Sequence, residues 1–201
     1  MTVGALCGLL LLASSTIADD DAWDKLASVR DALSAAKVQA GFTQTFLPAG
    51  FSTGDEERGT LYVGLPDCLR WDYEEPYPRR YLLCGQTIWV WSPDEEIGDR
   101  YLGVSREETG LDFLMLSVER LQRKYEATLE DDGTITLTGL DNAAAFTIAR
   151  IEADPATGRP TRLSYTDLEG NETSFDLGTY GAIEDREAFL PPAGIEWVDT
   201  D

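Results

Sequence analysis

The chain has 201 residues, with 37 acidic against 16 basic side chains, no histidine and a formal net charge of −21. At 43% hydrophobic and 10% aromatic it has the composition of a folded protein with a substantial core. The charge excludes nucleic acid as a partner and argues against adsorption on anionic headgroups, because both rest on Lys and Arg. The lack of histidine excludes Ser-His-Asp and Cys-His catalysis.

Residues 1–18, MTVGALCGLLLLASSTIA, carry no charged side chain, and their Leu-rich run is too short for a stable membrane anchor. They are expected to be a cleavable export signal ending at Ala18, with an uncleaved anchor as the alternative, although no Lys or Arg precedes the apolar run. Cys7 falls inside that signal, which leaves Cys68 and Cys84 in the mature chain. They lie 16 residues apart on two extended segments, so a cross-strand disulfide is within geometric reach and an oxidising compartment favours it. Two buried free thiols are the alternative. Two cysteines without histidine make no zinc site.

Residues 19–38 predict an amphipathic helix, with Asp19 to Asp21 at its positive end. Trp23, Leu26, Val29 or Arg30, and Leu33 form its apolar stripe, and it is expected to end near Gln39 or Gly41. From Phe42 the period becomes two. FTQTF, GTLYVGL, CLRWDY, RYLLC and TIWVW read as strands separated by Gly, Pro or Asp signals. GLDFLMLSVERL (110–121) reads as one short helix with Leu111, Leu114, Met115 and Val118 on one side. RKYEATLE, TITLTGL, AFTIARIEA, TRLSYTDL and TSFDLG then resume the strands, with turns at 131–133, 155–160 and 168–171. Pro191-Pro192 leads into a short tail. The expected architecture is mainly β: residues 19–201 form one domain, a curled antiparallel meander with two helices over its hollow side.

Glu74-Glu75, Asp94-Glu95-Glu96, Glu107-Glu108 and Glu130-Asp131-Asp132 all fall in turn-like contexts and read as solvated charge. A carboxylate pair for glycoside hydrolysis is allowed by composition but is not indicated. The chain therefore reads as a non-enzyme. Asn171-Glu172-Thr173 formally matches a glycosylation acceptor.

The concentrated aromatics call for explanation. Residues 69–91 hold three of the five tryptophans. Alternation puts Leu69, Trp71 and Tyr73 on one strand face, with Cys68, Arg70 and Asp72 opposite. Trp89 and Trp91 share a face of TIWVW, and Ile88 and Val90 share the other, so that strand is covered on both sides or lines a cavity. A filled core, a sugar-binding platform and an apolar cavity for acyl chains all remain open on this pattern.

The order of the motifs resembles the periplasmic outer-membrane lipoprotein carrier family, LolA. GFTQTF (41–46) follows the first helix, a Gly-x-Leu strand begins at Gly59, and Pro66 opens a Pro-x-x-x-x-Trp strand ending at Trp71. GQTIWVWSP (85–93) matches a Gly-x-x-x-Trp strand, and FLPPAG (189–194) matches the closing tail. The resemblance covers essentially the whole mature chain. It implies an incompletely closed antiparallel β-barrel with a helical lid over a hydrophobic cavity. It also implies a periplasmic carrier that takes acylated lipoproteins from an inner-membrane ABC transporter and passes them to an outer-membrane receptor. No cofactor is implied and the carrier is expected to be a monomer. Residue by residue, the resemblance assigns Leu69, Trp71 and Tyr73 to the cavity row, and Phe113, Leu114, Met115 and Leu116 to the lid helix. Trp89, with Trp91 beside it, lines or supports the cavity wall. Two features depart from the family: Leu65 replaces the arginine that latches the lid, and the Cys68/Cys84 pair is not a general feature. Either Arg70, Arg79 or Arg80 substitutes for the latch, or the lid is held differently. A lipid- or lipoprotein-sensing protein of the same fold is the nearest alternative, and a carbohydrate-active exported protein is the more distant one.

Overall fold

The structure is a computed structural model that describes residues 17–104, 112–140, 144–185 and 187–200. Of the expected signal segment, residues 1–16 lie outside the described residues, whereas Ile17 and Ala18 open helix α1, Ile17–Ser34. Asp20 and Asp21 therefore sit inside the helix's first turns, where acids favour its positive pole. Ala22, Trp23, Leu26, Val29 and Leu33 are buried, so Val29 takes the core position that the spacing left open between it and Arg30. Burial of the Arg30 side chain beside this stripe pulls its pKa below the usual arginine value. The helix stops earlier than expected: Ala35 N–H donates to Asp31 C=O, and strand β1 (Val38–Leu47) follows. Val38, Ala40 and Phe42 are all buried, and a strand's period of two meets that requirement where a helix would not.

Twelve further strands follow among the described residues. They are β2 (Asp55–Gly64), β3 (Cys68–Glu75), β4 (Arg79–Cys84), β5 (Thr87–Trp91), β6 (Ile97–Leu102) and β7 (Tyr125–Leu129). Then come β8 (Ile135–Gly139), β9 (Ile148–Ala153), β10 (Pro160–Thr166), β11 (Glu172–Leu177), β12 (Gly181–Ala182) and β13 (Glu196–Thr200). They form one 13-stranded sheet ordered β13-β6-β5-β4-β3-β2-β1-β11-β10-β9-β8-β7, with β12 on β1. The two ends of that order, β13 and β7, do not pair, so the barrel is open, as expected. Three strands were not anticipated: β6, the two-residue β12 and β13. β6 carries Gly and Asp, which strands disfavour, and β13 comes from the supposed tail. β13 also pairs parallel with β6, an exception to the antiparallel pattern.

The expected helix at 110–121 is two short turns, α2 (Asp112–Met115) and α3 (Val118–Leu121). Ser117 between them is extended, with φ −66° and ψ 154°, which prevents one continuous helix. Leu111 lies outside the described residues. Phe113, Leu114, Met115 and Leu116 are all buried, not only one side of the segment. Phe113 meets the Phe146 ring edge-on at 5.8 Å, and Phe146 stacks on Tyr125 at 4.5 Å. These rings close the interior beneath α1. Phe146→Ala should cost about 3–5 kcal/mol of stability, read as a lower urea midpoint at unchanged m.

The outer face of β3–β6 is also covered. Arg70 Nε and Nη2 donate to the two Asp72 carboxylate oxygens at 2.6 and 2.8 Å, and Nη1 donates to Ala188 C=O at 2.9 Å. Both side chains are buried. Trp91 packs edge-on against Trp197 at 6.0 Å. Gly98 lies between those two strands, and a Cβ there would fall 2.7 Å from the Trp197 ring. Gly64 likewise leaves room for Phe189, whose ring would be 2.8 Å from an added Cβ. Residues 187–197 are thus strapped over the back of the sheet. Cys68 and Cys84 are cross-strand partners with their sulfurs 2.03 Å apart, in the same region of the sheet. Asn171, formally a glycan acceptor, holds its own turn instead: Nδ2 donates to Asp167 and Oδ1 accepts from Ala49 N–H.

Candidate acyl-chain cavity

Alternation on β3 turns Trp71 and Tyr73 to the core side of the sheet, and register carries that row across the neighbouring strands. Trp71 faces Tyr81, Leu69 faces Leu83, and Leu83 faces Ile88. Trp71, Tyr73, Tyr81, Leu83 and Ile88 form one wall of a cavity of ≈ 230 Å³. Gln44 on β1, Phe175 on β11 and Tyr165 on β10 supply the opposing wall. In a flat sheet β5 and β10 would stand roughly 29 Å apart at the usual strand spacing. Their meeting across one small cavity shows how strongly the sheet curls.

The wall is mostly aromatic. Phe42 meets Tyr73 edge-on at 5.1 Å, and Tyr73 meets Tyr81 edge-on at 5.8 Å. A second, shallower trough of ≈ 630 Å³ continues from the shared Tyr81 and Ile88 along Val90, Tyr101, Leu102 and Val104. Polar groups collect at one edge. Tyr73 O–H donates to Gln44 Oε1 at 2.5 Å, and burial pushes the Tyr73 phenol well above the ordinary tyrosine range, so it stays a donor. The Arg79 guanidinium lies over the Tyr73 ring at 4.5 Å and the Tyr81 ring at 5.8 Å, and it pairs with Glu57 at 2.7 Å.

The expected site residues divide. Trp71 and Tyr73 line the cavity, whereas Leu69 is 1% exposed and belongs to the packed core behind it. Phe113, Leu114, Met115 and Leu116 are core side chains, and none is among the described cavity lining. Trp89 and Trp91 require a correction. They project to the outer face, where the Arg70 guanidinium lies 5.4 Å from the Trp91 ring, and Ile88 takes the cavity position. TIWVW is apolar on both faces because its inner face meets the cavity and its outer face meets the C-terminal strap. Tyr81, Leu83, Ile88, Gln44, Tyr165 and Phe175 were missed. The first three were accessible from the alternation of RYLLC and TIWVW, once Trp71 was taken as the inner reference. The rest needed the curl.

Among the three arginines considered in place of the missing latch, Arg70 pairs with Asp72 on the outer face and Arg80 approaches the same carboxylate at 3.4 Å. Arg79 alone of the three lies over cavity-lining rings. Trp71 is only 9% exposed, which does not suit a sugar platform, where rings are presented to solvent. The described acid runs (Glu74-Glu75, Asp94-Glu95-Glu96 and Glu130-Asp131-Asp132) are exposed, in keeping with solvated charge.

Comparison with known proteins points the same way. The family model described as "Outer membrane lipoprotein carrier protein LolA" matches residues 34–187. An outer-membrane lipoprotein carrier protein of Methylococcus capsulatus is 32% identical over 180 residues, covering 81% of each chain. Its counterpart from Chromohalobacter salexigens is 24% identical over 185 residues, covering 85% of this chain and 86% of that one. Among solved structures, an uncharacterized conserved protein of Thermus thermophilus has a TM-score of 0.56 at 14% identity, covering 90% of this chain and 99% of that one. A chain of the Pseudomonas aeruginosa MucA/MucB complex has a TM-score of 0.53 at 14% identity, covering 89% of this chain and 63% of that one. These structures share the fold. With an open, curled sheet, an aromatic cavity on its inner side and a family match across most of its length, the chain belongs to the outer-membrane lipoprotein carrier (LolA) family.

Proposed function

We propose that this protein carries acylated lipoproteins across the periplasm, holding their acyl chains against the inner face of the sheet. Residues 1–18 direct export and are removed, and 19–201 act as one carrier domain. The inner-membrane lipoprotein-releasing ABC transporter supplies the cargo, and a receptor at the outer membrane accepts it. The observation that carries this reading is the aromatic cavity around Trp71, together with the apolar trough that continues it past Tyr81 and Ile88.

Physical chemistry sets the task. Each buried methylene is worth roughly 0.8 kcal/mol, so several acyl chains left in water cost on the order of tens of kcal/mol. No bond has to form or break, and no cofactor is needed. The ≈ 230 Å³ cavity is smaller than the roughly 300–1,000 Å³ of ordinary ligand sites, so loading several chains opens the molecule beyond its resting shape. Capture and release then follow from relative affinity for the open and closed forms. Leu69 and Phe113 to Leu116 support the walls and the lid in this account, and the Cys68–Cys84 link stiffens the strand pair that carries Trp71.

The test is binding of a fluorescent triacylated lipopeptide to the purified mature protein. Saturable binding with one lipopeptide per protein, competed by unlabelled lipopeptide, is expected. Absence of saturable binding would sink the proposal.

A further inference from the structure

The polar edge of the cavity carries chemistry that acyl-chain burial does not use. Tyr73 and Gln44 line the cavity and are hydrogen-bonded to each other. Because Gln44 accepts through its oxygen, its amide N–H group is left as a donor. Arg79 is fixed by Glu57 through Nη2, yet its Nε is buried and has no hydrogen-bond partner among the described residues. A buried donor without a partner is costly, and an acceptor at this edge would relieve it. Gln44 lines the cavity and Arg79 stacks over two of its lining rings, so N–H donors stand at the rim of an apolar cavity.

Its charge decides which acceptor fits. Glu57 neutralises Arg79 at 2.7 Å, and Arg58 is already paired with Glu56 at 2.6 Å. Glu74 and Glu75 stand exposed at the same end of β3, on a chain of net charge −21. An anionic phosphate would meet a neutral ion pair inside an acidic field. An uncharged carbonyl oxygen would meet free donors and no repulsion.

We propose that the rim formed by Arg79, Glu57, Tyr73 and Gln44 is a headgroup filter. It accepts the uncharged ester and amide carbonyls of an acylated polypeptide N-terminus and turns away anionic phospholipids with the same tails. This rests on the carrier reading, and it adds what that reading lacks: a means of ignoring the far more abundant membrane lipids.

The experiment offers the protein an equimolar mixture of a tripalmitoylated cysteinyl lipopeptide with an uncharged peptide and dipalmitoyl phosphatidylglycerol, and reads the bound species by native mass spectrometry. The unaltered protein should take up the lipopeptide in clear preference. Arg79→Met, which keeps bulk but removes the donors, should weaken lipopeptide binding roughly tenfold. Glu57→Gln leaves Arg79 uncompensated and should shift the ratio roughly tenfold toward phosphatidylglycerol. The double variant E57Q/R79M is neutral again and should lose that gain, which separates charge from disturbed packing. Equal uptake of both lipids by the unaltered protein would overturn the filter and leave the carrier reading standing. So would an unchanged ratio in Glu57→Gln, unweakened lipopeptide binding in Arg79→Met, or retained phosphatidylglycerol uptake in the double variant. Uptake of neither lipid would overturn the carrier reading itself, and the filter with it.

Discussion

Trp71→Glu should abolish acyl-chain capture, with affinity for a triacylated lipopeptide falling roughly 100-fold or more. Trp71 lines the cavity and is 9% exposed, so the new carboxylate would stand where methylenes must pack. Its cross-strand neighbour is Tyr81, and Leu83 and Ile88 complete that wall, so no cation on it compensates the charge. Arg79 is the nearest cation along the inner row and is already held by Glu57. The cost falls on the bound state more than on folding, because the cavity is open enough to hydrate a carboxylate once no lipid fills it. The variant should therefore stay soluble. Trp71→Phe, which keeps an apolar ring, should retain most of the affinity. Titration of both variants with the same labelled lipopeptide gives the comparison, and full-strength binding by Trp71→Glu would remove this row from the site.

Asp72→Ala should destabilise the protein by about 3–5 kcal/mol, the usual consequence of removing one member of a buried ion pair. Asp72 accepts two hydrogen bonds from Arg70, whose other contacts are the Ala188 carbonyl and a looser ion pair with the half-exposed Asp185 at 3.8 Å. Arg70 also lies 5.1 Å from the Tyr62 ring and 5.4 Å from the Trp91 ring, so the strap and the sheet both pack against its guanidinium. Arg80, 3.4 Å from Asp72, would lose a partner as well. Loss of Asp72 should thus loosen residues 187–197 from the outer face before the inner cavity is affected. Urea unfolding reads the stability, and hydrogen exchange at Ala188 and across β13 reads the strap. A loss below about 1 kcal/mol would mean that the pair is worth no more than a surface one.

Much of this architecture was legible because burial on one face writes itself into alternation. Leu61 and Val63, then Leu69 and Trp71, then Phe175 declare their inner faces through period two. The α1 stripe does the same through period three to four. The pattern failed where both faces are buried. TIWVW carries apolar residues at every position, so nothing in it says that Ile88 faces the cavity and Trp91 faces Trp197. The strap that covers Trp91 comes from residues about a hundred positions downstream, which local pattern cannot reach. The end of α1 was misplaced for a related reason: Val38 and Ala40 suit either period, and pairing with β2 decides between them. The cavity's far wall, Tyr165 and Phe175, depends on how far the sheet curls, which is a property of the assembled strands. The family resemblance assigned Trp71 and Tyr73 to the cavity row, and both line the apolar cavity. It could not show that the helical segment at 113–116 is packed solid.

The most direct test of the carrier reading is lipoprotein release. Purified mature protein is incubated with energised spheroplasts that hold the cognate transporter and display a labelled lipoprotein destined for the outer membrane. The supernatant is then examined for a soluble complex. The cavity and trough around Trp71 predict a one-to-one complex of lipoprotein and carrier that Trp71→Glu fails to form. Labelled lipoprotein that stays with the spheroplasts in the presence of the unaltered protein would contradict it.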